Sequence, residues 1–505
     1  MPLAKALSIS LFGLAGRLIE VEADISSNLP AFVLVGLPDA SVNEAASRVR
    51  AATANSKLNL PGRRITINLS PASVPKQGSG FDLAIAMSAL GAAGLVDKHR
   101  IAKTVFLGEL ALDGSIKPIN GILAAVIAAQ KLEIDQIVVP LANLSEAKLV
   151  SGLKIHGFNH ITQVANSFGA NIPARPPGEI IEGIPSQPES VPCFSEVIGQ
   201  PAAIDAMLVA AVGSHNLLMY GPPGAGKTML ASRLPGILPA LSECQAIELC
   251  AIRSVARLEV NQLSTAPPFQ APHHTASLVS MVGGGGSQPR PGLVSLAHNG
   301  VLFLDEAPEF QSSVLEALRQ PLESGSITIS RAAGHAKFPA RFQLVLAANP
   351  CPCGHSIGSG KDCTCSATAK LRYKNRISGP LSDRLDIRLE LNSVNAALIN
   401  SEERGSSSNQ LRTLVTSARL ASLERLNATP WRTNSEVPGS FLRRNLRLDR
   451  KTTAQLDFAL DKNLISMRGY DRCLRVAWSI ADLAGRTVPS KDDLAKSVFL
   501  RGNEL

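Results

Sequence analysis

The chain has 505 residues, too many for one ordinary hydrophobic core, so two or three domains are expected. Hydrophobic residues make up 45% and charged residues 18%, which excludes bulk disorder, and 4% aromatics predict an aliphatic interior. Lys and Arg outnumber Asp and Glu 50 to 41, and the resulting +9 suits a polyanionic partner.

The longest uncharged apolar run, Leu83 to Val96, falls short of the roughly 18 residues of a spanning helix, so no membrane partner is expected. Four of the 8 cysteines bunch between Cys351 and Cys365, a distribution unlike a secreted disulfide framework, and a reducing cytoplasmic location follows. Near the amino end Ile19, Val21, Ala23 and Ile25 alternate with Glu20, Glu22 and Asp24, which reads as a mature strand rather than a leader.

Residues 1–170 alternate strands with helices, among them Arg64 to Asn68, Phe81 to Leu95, Val105 to Leu110 and Gln136 to Val139, giving one α/β domain. Residues 171–192 hold six prolines from Pro173 to Pro192 and read as a semi-rigid linker. Residues 193–404 form a second α/β unit with a parallel sheet. After a Gly405-Ser-Ser-Ser408 break, residues 405–505 show helical spacing and predict a helical domain. No internal repeat is evident.

Gly221-Pro222-Pro223-Gly224-Ala225-Gly226-Lys227-Thr228 fits the P-loop pattern, preceded by the apolar strand Leu217 to Tyr220 and followed by a helix opening at Met229. Such a loop turns backbone N–H groups toward phosphates at a helix N-terminus, and ATP with Mg²⁺ is the expected ligand. Lys227 would meet β/γ-phosphate oxygens and the Thr228 hydroxyl would ligate Mg²⁺. Val301 to Leu304 is a buried strand ending in Asp305 and Glu306, candidates for the Mg²⁺ shell and for polarising the attacking water. Gln343 to Ala348 ends at Asn349-Pro350, where an amide could position that water; a turn-forming Asn is the alternative. Arg384, in Gly379-Pro-Leu-Ser-Asp-Arg-Leu-Asp386, could be a finger given to a neighbouring subunit or a surface Arg paired with Asp383 or Asp386.

These motifs, with Ala271-Pro-His-His-Thr275, Val282 to Gly286, Leu296-Ala-His298, Asn349-Pro-Cys-Pro-Cys-Gly354, Ser378 to Arg384, Phe32 to Asp39 and Arg472 to Leu483, resemble the ComM/YifB group of AAA+ ATPases. That group belongs to the branch of the magnesium-chelatase motor subunit, and the likeness covers nearly the whole chain. It implies that Phe194 to Gln200, with Val197 and Ile198, borders the adenine. It also implies that Arg384 is the trans finger, that Arg468 in Ser466-Met-Arg-Gly-Tyr470 is the lid's sensor arginine with Arg472 the fallback, and that His273, His274 and Gly283 to Gly286 belong to an insert facing a central pore. A hairpin is read over Ile327 to Ser330 and Phe338 to Leu344, with Arg331 and Lys337 near its tip.

The first domain, through Pro75 to Asp82 and Gly108 to Gly121, resembles the Lon protease fold. Gly80 and Leu123 stand where Lon carries its serine and lysine. Ser79 and Lys76 are nearby, but a one-residue offset should spoil the hydrogen-bond geometry a Ser-Lys pair needs, so no peptidase activity is expected.

Cys351, Cys353, Cys363 and Cys365 could wrap a tetrahedral structural Zn²⁺, with reduced free thiols the alternative. Lys370, Arg372, Lys374 and Arg376, and separately Arg443, Arg444, Arg447, Arg450 and Lys451, could track phosphates or be solvated faces. The expected whole is a cytoplasmic, hexameric ATPase ring translocating on single-stranded or branched DNA, a branch-migration helicase for homologous recombination in transformation. A chelatase-type motor subunit and a protein-remodelling ATPase are the alternatives.

Overall fold

A computed structural model describes residues 3–37, 39–76, 78–173, 175–176, 192–285, 288–331, 334–356, 363–377, 379–392 and 405–502. Most of the Pro-rich linker, together with Gly286, Gly358, Gly360 and Ser378, lies outside them. Among the described residues no helix is long and apolar enough to cross a membrane.

The first α/β unit is built on a seven-stranded sheet in the order 31–35, 64–70, 15–26, 3–12, 104–106, 136–140, 154–158. The alternation at its amino end sets one face inward: Ile19, Val21 and Ala23 are fully buried, while Lys5 reaches across its antiparallel pair to Glu22 at 2.7 Å. Helix Asp82–Ala92 is buried on every side, which explains its mostly apolar sequence; its one charged residue, Asp82, is paired with Arg48. The run Val105 to Leu110 divides into strands Thr104–Phe106 and Glu109–Leu110, because the chain turns off the sheet at Gly108, where a Cβ would stand 2.7 Å from Ile116.

The second unit carries five parallel strands in the order Phe269–Gln270, Val301–Leu304, Gln343–Ala348, Leu217–Tyr220, Ile387–Glu390. Strands buried on both faces read as continuous apolar runs, as Val301–Leu304 and Gln343–Ala348 do. The hairpin differs from its expected span. Ser326–Arg331 pairs with Gly334–Pro339, and Gln343–Ala348 is a separate sheet strand; Pro339 and the bond from Ala340 N–H to Gly325 O end the hairpin before the sheet begins. Arg331 is therefore at the tip, but Lys337 faces Thr328 further down.

The remaining described residues form helices Ser408–Arg425, Gly439–Arg444, Arg450–Asp461, Met467–Leu483 and Lys491–Leu500 with their connections. Leu411, Val415, Ala418, Val476 and Ile480 share one core with Leu217, Met219, Leu230 and Leu234, so part of the helical region packs directly on the parallel-sheet unit. The first unit is also fused to it: Leu123 and Val126 of helix Ile122–Lys131 bury against Cys250 and Ala251 of helix Glu243–Val255, and Phe12 packs near Ala336 and Phe338 of the hairpin.

Candidate active site

Parallel register aligns the carboxyl ends of three strands. Tyr220 is level with Ala348, and Leu304 with Leu346, so Gly221, Asp305 and Asn349 leave the sheet side by side, where ligands of open α/β sheets bind. The loop after Tyr220 is shaped by glycines in the left-handed region, Gly224 at φ +78° and Gly226 at φ +84°. Helix Lys227–Ile237 then begins at Gly226 with no side chain capping it, leaving its first N–H groups pointed at the loop.

Lys227 is nearly buried, and burial lowers its pKa against the opposing pull of Asp305 and Glu306. Its Nζ donates to Gly221 O at 2.7 Å, Pro222 O at 2.9 Å and Asn349 Oδ1 at 3.0 Å. Thr228 Oγ1 donates to Asp305 Oδ2 at 2.6 Å. Glu306 adopts φ +50°, unusual for a non-glycine, with its amide donating to Asp305 Oδ1 at 2.9 Å. Its carboxylate projects half-exposed, 3.5 Å from His274 Nδ1. A cation, a hydroxyl–carboxylate pair, a half-exposed carboxylate and an amide thus converge at a helix N-terminus, a donor set suited to a nucleoside triphosphate with Mg²⁺.

The segment before the loop is tied to it. Val197 is buried and Ile198 half-buried, Gln200 Nε2 donates to Ala225 O at 2.8 Å, and Arg233 holds Cys193 O at 2.8 Å and ion-pairs with Glu196. Arg233 also donates to Met229 O at 2.9 Å.

Arg384 and Arg468 make no hydrogen bond or ion pair with these residues. Arg384 pairs with Glu323 and donates to Pro380 O, its Nε buried without a partner. Exposed Arg468 stands 3.6 Å from Asp383. Arg472 is committed inward, donating to Leu385 O at 2.8 Å beside Asp386. The cysteines do converge: the Sγ atoms of Cys351, Cys353, Cys363 and Cys365 lie within 4.8 Å of one another. A hydrogen bond from His355 N–H lowers the Cys353 thiol to about 6.

In the first unit, Ser79 donates to Glu109 and Lys76 to Pro71 O, so no hydrogen bond joins the two; Leu123 is fully buried. Lys370, Arg372 and Lys374 lie on helix Ala367–Lys374, capped by Ser366, so Arg372 projects away from the other two, and Arg376 pairs with Glu309. In the other cluster, Arg443 is drawn to Asp471.

Family models describing the magnesium chelatase subunit ChlI match residues 193–399, 21–143 and, for its C-terminal part, 405–501. The competence protein ComM of Haemophilus influenzae is 40% identical over 99% of this chain and 98% of its own. The chain belongs to the ComM/YifB family of magnesium-chelatase-like AAA+ ATPases. Escherichia coli YifB is 39% identical over 96% of this chain and 94% of its own, and an uncharacterized protein of Mycobacterium tuberculosis is 46% identical over 99% of both. Magnesium-chelatase 38 kDa subunits match far less, the Rhodobacter capsulatus one at 28% identity over 31% of this chain.

Two contacts in this ComM/YifB chain escape sequence reasoning. Gln200 belongs to the segment expected at the adenine, yet nothing in its neighbours signals its bond to Ala225 O, 25 residues on. His274 reads with the pore insert, yet it stands against Glu306 because the strand Phe269–Gln270 pairs beside Val301–Leu304.

Proposed function

We infer that this AAA+ ATPase is a ring motor on DNA, a ComM-like branch-migration helicase serving homologous recombination of incoming DNA in natural transformation. The observation that carries the ATPase part is the convergence of Lys227, Thr228, Asp305, Glu306 and Asn349 at one helix N-terminus. Lys227 and the loop amides bind the phosphates, Thr228 and Asp305 hold Mg²⁺, Glu306 polarises the attacking water and Asn349 orients it. Val197 and Ile198 line the adenine. Arg384 serves the neighbouring subunit's nucleotide and Arg468 senses it in the lid, which implies a closed homo-oligomer, here read as a cytoplasmic hexamer.

The DNA reading is supported by the net charge of +9 and by similarity to a relative named a competence protein. Residues 1–170 are read as a Lon-like scaffold without a catalytic dyad, 193–404 as the motor core and 405–505 as the lid. Cys351, Cys353, Cys363 and Cys365 are read as the seat of a structural Zn²⁺.

ATP hydrolysis by the purified chain, measured with and without single-stranded or branched DNA, tests the reading. Stimulation by DNA together with junction migration supports it; activity indifferent to DNA removes the DNA part. The family matches to magnesium chelatase favour one second reading, a motor that drives metal insertion through partner subunits, for which partner-dependent metallation would be the signature.

A further inference from the structure

The cysteine cluster sits against the phosphate-binding loop. Strand Gln343–Ala348 ends at Asn349, the residue that accepts from Lys227, and Cys351 follows two residues later, fully buried. The turn from Cys351 closes with Gly354 N–H donating to Cys351 O at 3.0 Å, and Gly354 takes φ +81°. A Cβ at Gly354 would fall 2.7 Å from both Cδ and Cγ of Pro223, so the turn is packed on the ring of a P-loop residue.

The other half of the cluster reaches the same place from the far side. Cys365 immediately precedes Ser366, the cap of helix Ala367–Lys374. That helix carries buried Tyr373, which lies near the Asn349 backbone; burial pushes its phenol up to about 12. Asn349 thus adjoins the first cysteine pair along the chain and lies near the helix that starts after the second.

Four thiolates at about 2.3 Å from one zinc ion stand about 3.8 Å apart along the edges of a tetrahedron. Cys351 and Cys353 each lie 3.7 Å from Cys363, and Cys351 and Cys353 are 3.3 Å apart. All four are free thiols rather than disulfides.

We propose that a single Zn²⁺ held by Cys351, Cys353, Cys363 and Cys365 couples to the nucleotide site, fixing Asn349 and Pro223 so that zinc occupancy sets the affinity for ATP. The proposal rests on the zinc reading above and adds the coupling. One ion held by both cysteine pairs fixes the end of the Asn349 strand relative to the start of the Tyr373 helix. By linkage, ATP must tighten zinc retention by the same factor.

The test uses the full chain and no DNA, so its result is independent of the DNA reading. Zinc per subunit is measured by atomic emission. A fluorescent ATP analogue is titrated in excess Mg²⁺ against zinc-loaded protein, protein stripped with a zinc-selective chelator, and stripped protein given back Zn²⁺. Circular dichroism checks that each form is folded.

One zinc per chain is expected, with stripping weakening nucleotide binding about tenfold, a usual allosteric coupling, and Zn²⁺ restoring it. Saturating ATP should slow zinc loss to the chelator. The double variant Cys363→Ser/Cys365→Ser should bind no zinc and match the stripped form. Protein without zinc overturns both the metal reading and the coupling. Zinc bound with unchanged nucleotide affinity overturns the coupling and leaves a structural metal. Failure of the zinc-loaded protein to bind ATP removes the ATPase reading and this proposal with it.

Discussion

Lys227 Nζ donates to Asn349 Oδ1 at 3.0 Å, joining the start of one helix to the end of a strand 122 residues later. The amide oxygen is occupied by the lysine, which leaves the Asn349 NH₂ as the group free to donate toward a water or phosphate oxygen. Asn349→Asp keeps an acceptor for Lys227 but loses that donor. Steady-state hydrolysis by Asn349→Asp and Asn349→Ala should fall together, by about 10²–10³ in kcat. If Asn349→Asp retains wild-type turnover, the amide only braces the lysine.

Glu306 is held by backbone geometry rather than by a buried partner, so shortening its chemistry should not disturb the loop. Glu306→Gln is expected to bind the fluorescent ATP analogue as wild type does while kcat drops about 10²–10⁴, the usual contribution of a general base. Lys227→Ala should instead lose nucleotide binding itself. The two variants separate binding from chemistry in one pair of titrations.

Among the described residues Arg384 pairs with Glu323 and donates to Pro380 O, with no hydrogen bond or ion pair to this chain's own phosphate loop. A residue acting in trans predicts complementation. Arg384→Ala alone should bind nucleotide normally and lose about 10³ or more in kcat. Mixed with Lys227→Ala subunits, it should regain measurable ATPase, because some interfaces pair an intact loop with an intact arginine. Mixed rings as dead as either variant would remove the trans role.

Asp386 is fully buried beside Arg472, His215 and the Asn216 N–H that reaches it at 3.2 Å. Burial alone would raise its pKa, but the polar contact of His215 and the Arg472 charge outweigh it and hold the carboxyl well below the usual range. A depressed folded pKa gives stability that is present above the unfolded value of about 3.9 and is lost as pH falls below it. Asp386→Asn should therefore lower stability at neutral pH by about 3–5 kcal/mol, as for one broken buried pair, and flatten the acid limb of a denaturation profile. An unchanged acid limb would place the titrating group elsewhere.

Sequence alone carries far in the parallel-sheet unit because its strands are apolar runs closed by chemically marked ends. Leu217–Tyr220, Val301–Leu304 and Gln343–Ala348 fall where periodicity and the following polar residue place them. The hairpin is misjudged because Phe338, Ala340 and Phe342 continue an apolar pattern through a break made only by Pro339 and one backbone bond to Gly325. The basic residues from Lys370 to Arg376 are visible as charge, but their common face is not, since a capped helix turns alternation into divergence. The His274–Glu306 approach is illegible because a strand of two residues, Phe269–Gln270, has no period to read.

The buried seam between helix Ile122–Lys131 and helix Glu243–Val255 means that the amino-terminal unit is not a bead on a string. Cutting the chain within residues 171–192 would leave the two halves adhering, and expressing the second half by itself would bare Cys250, Ala251 and Val260 to water. Any stroke that tilts helix Glu243–Val255 must swing the amino-terminal unit with it, as a lever arm bolted to the engine block.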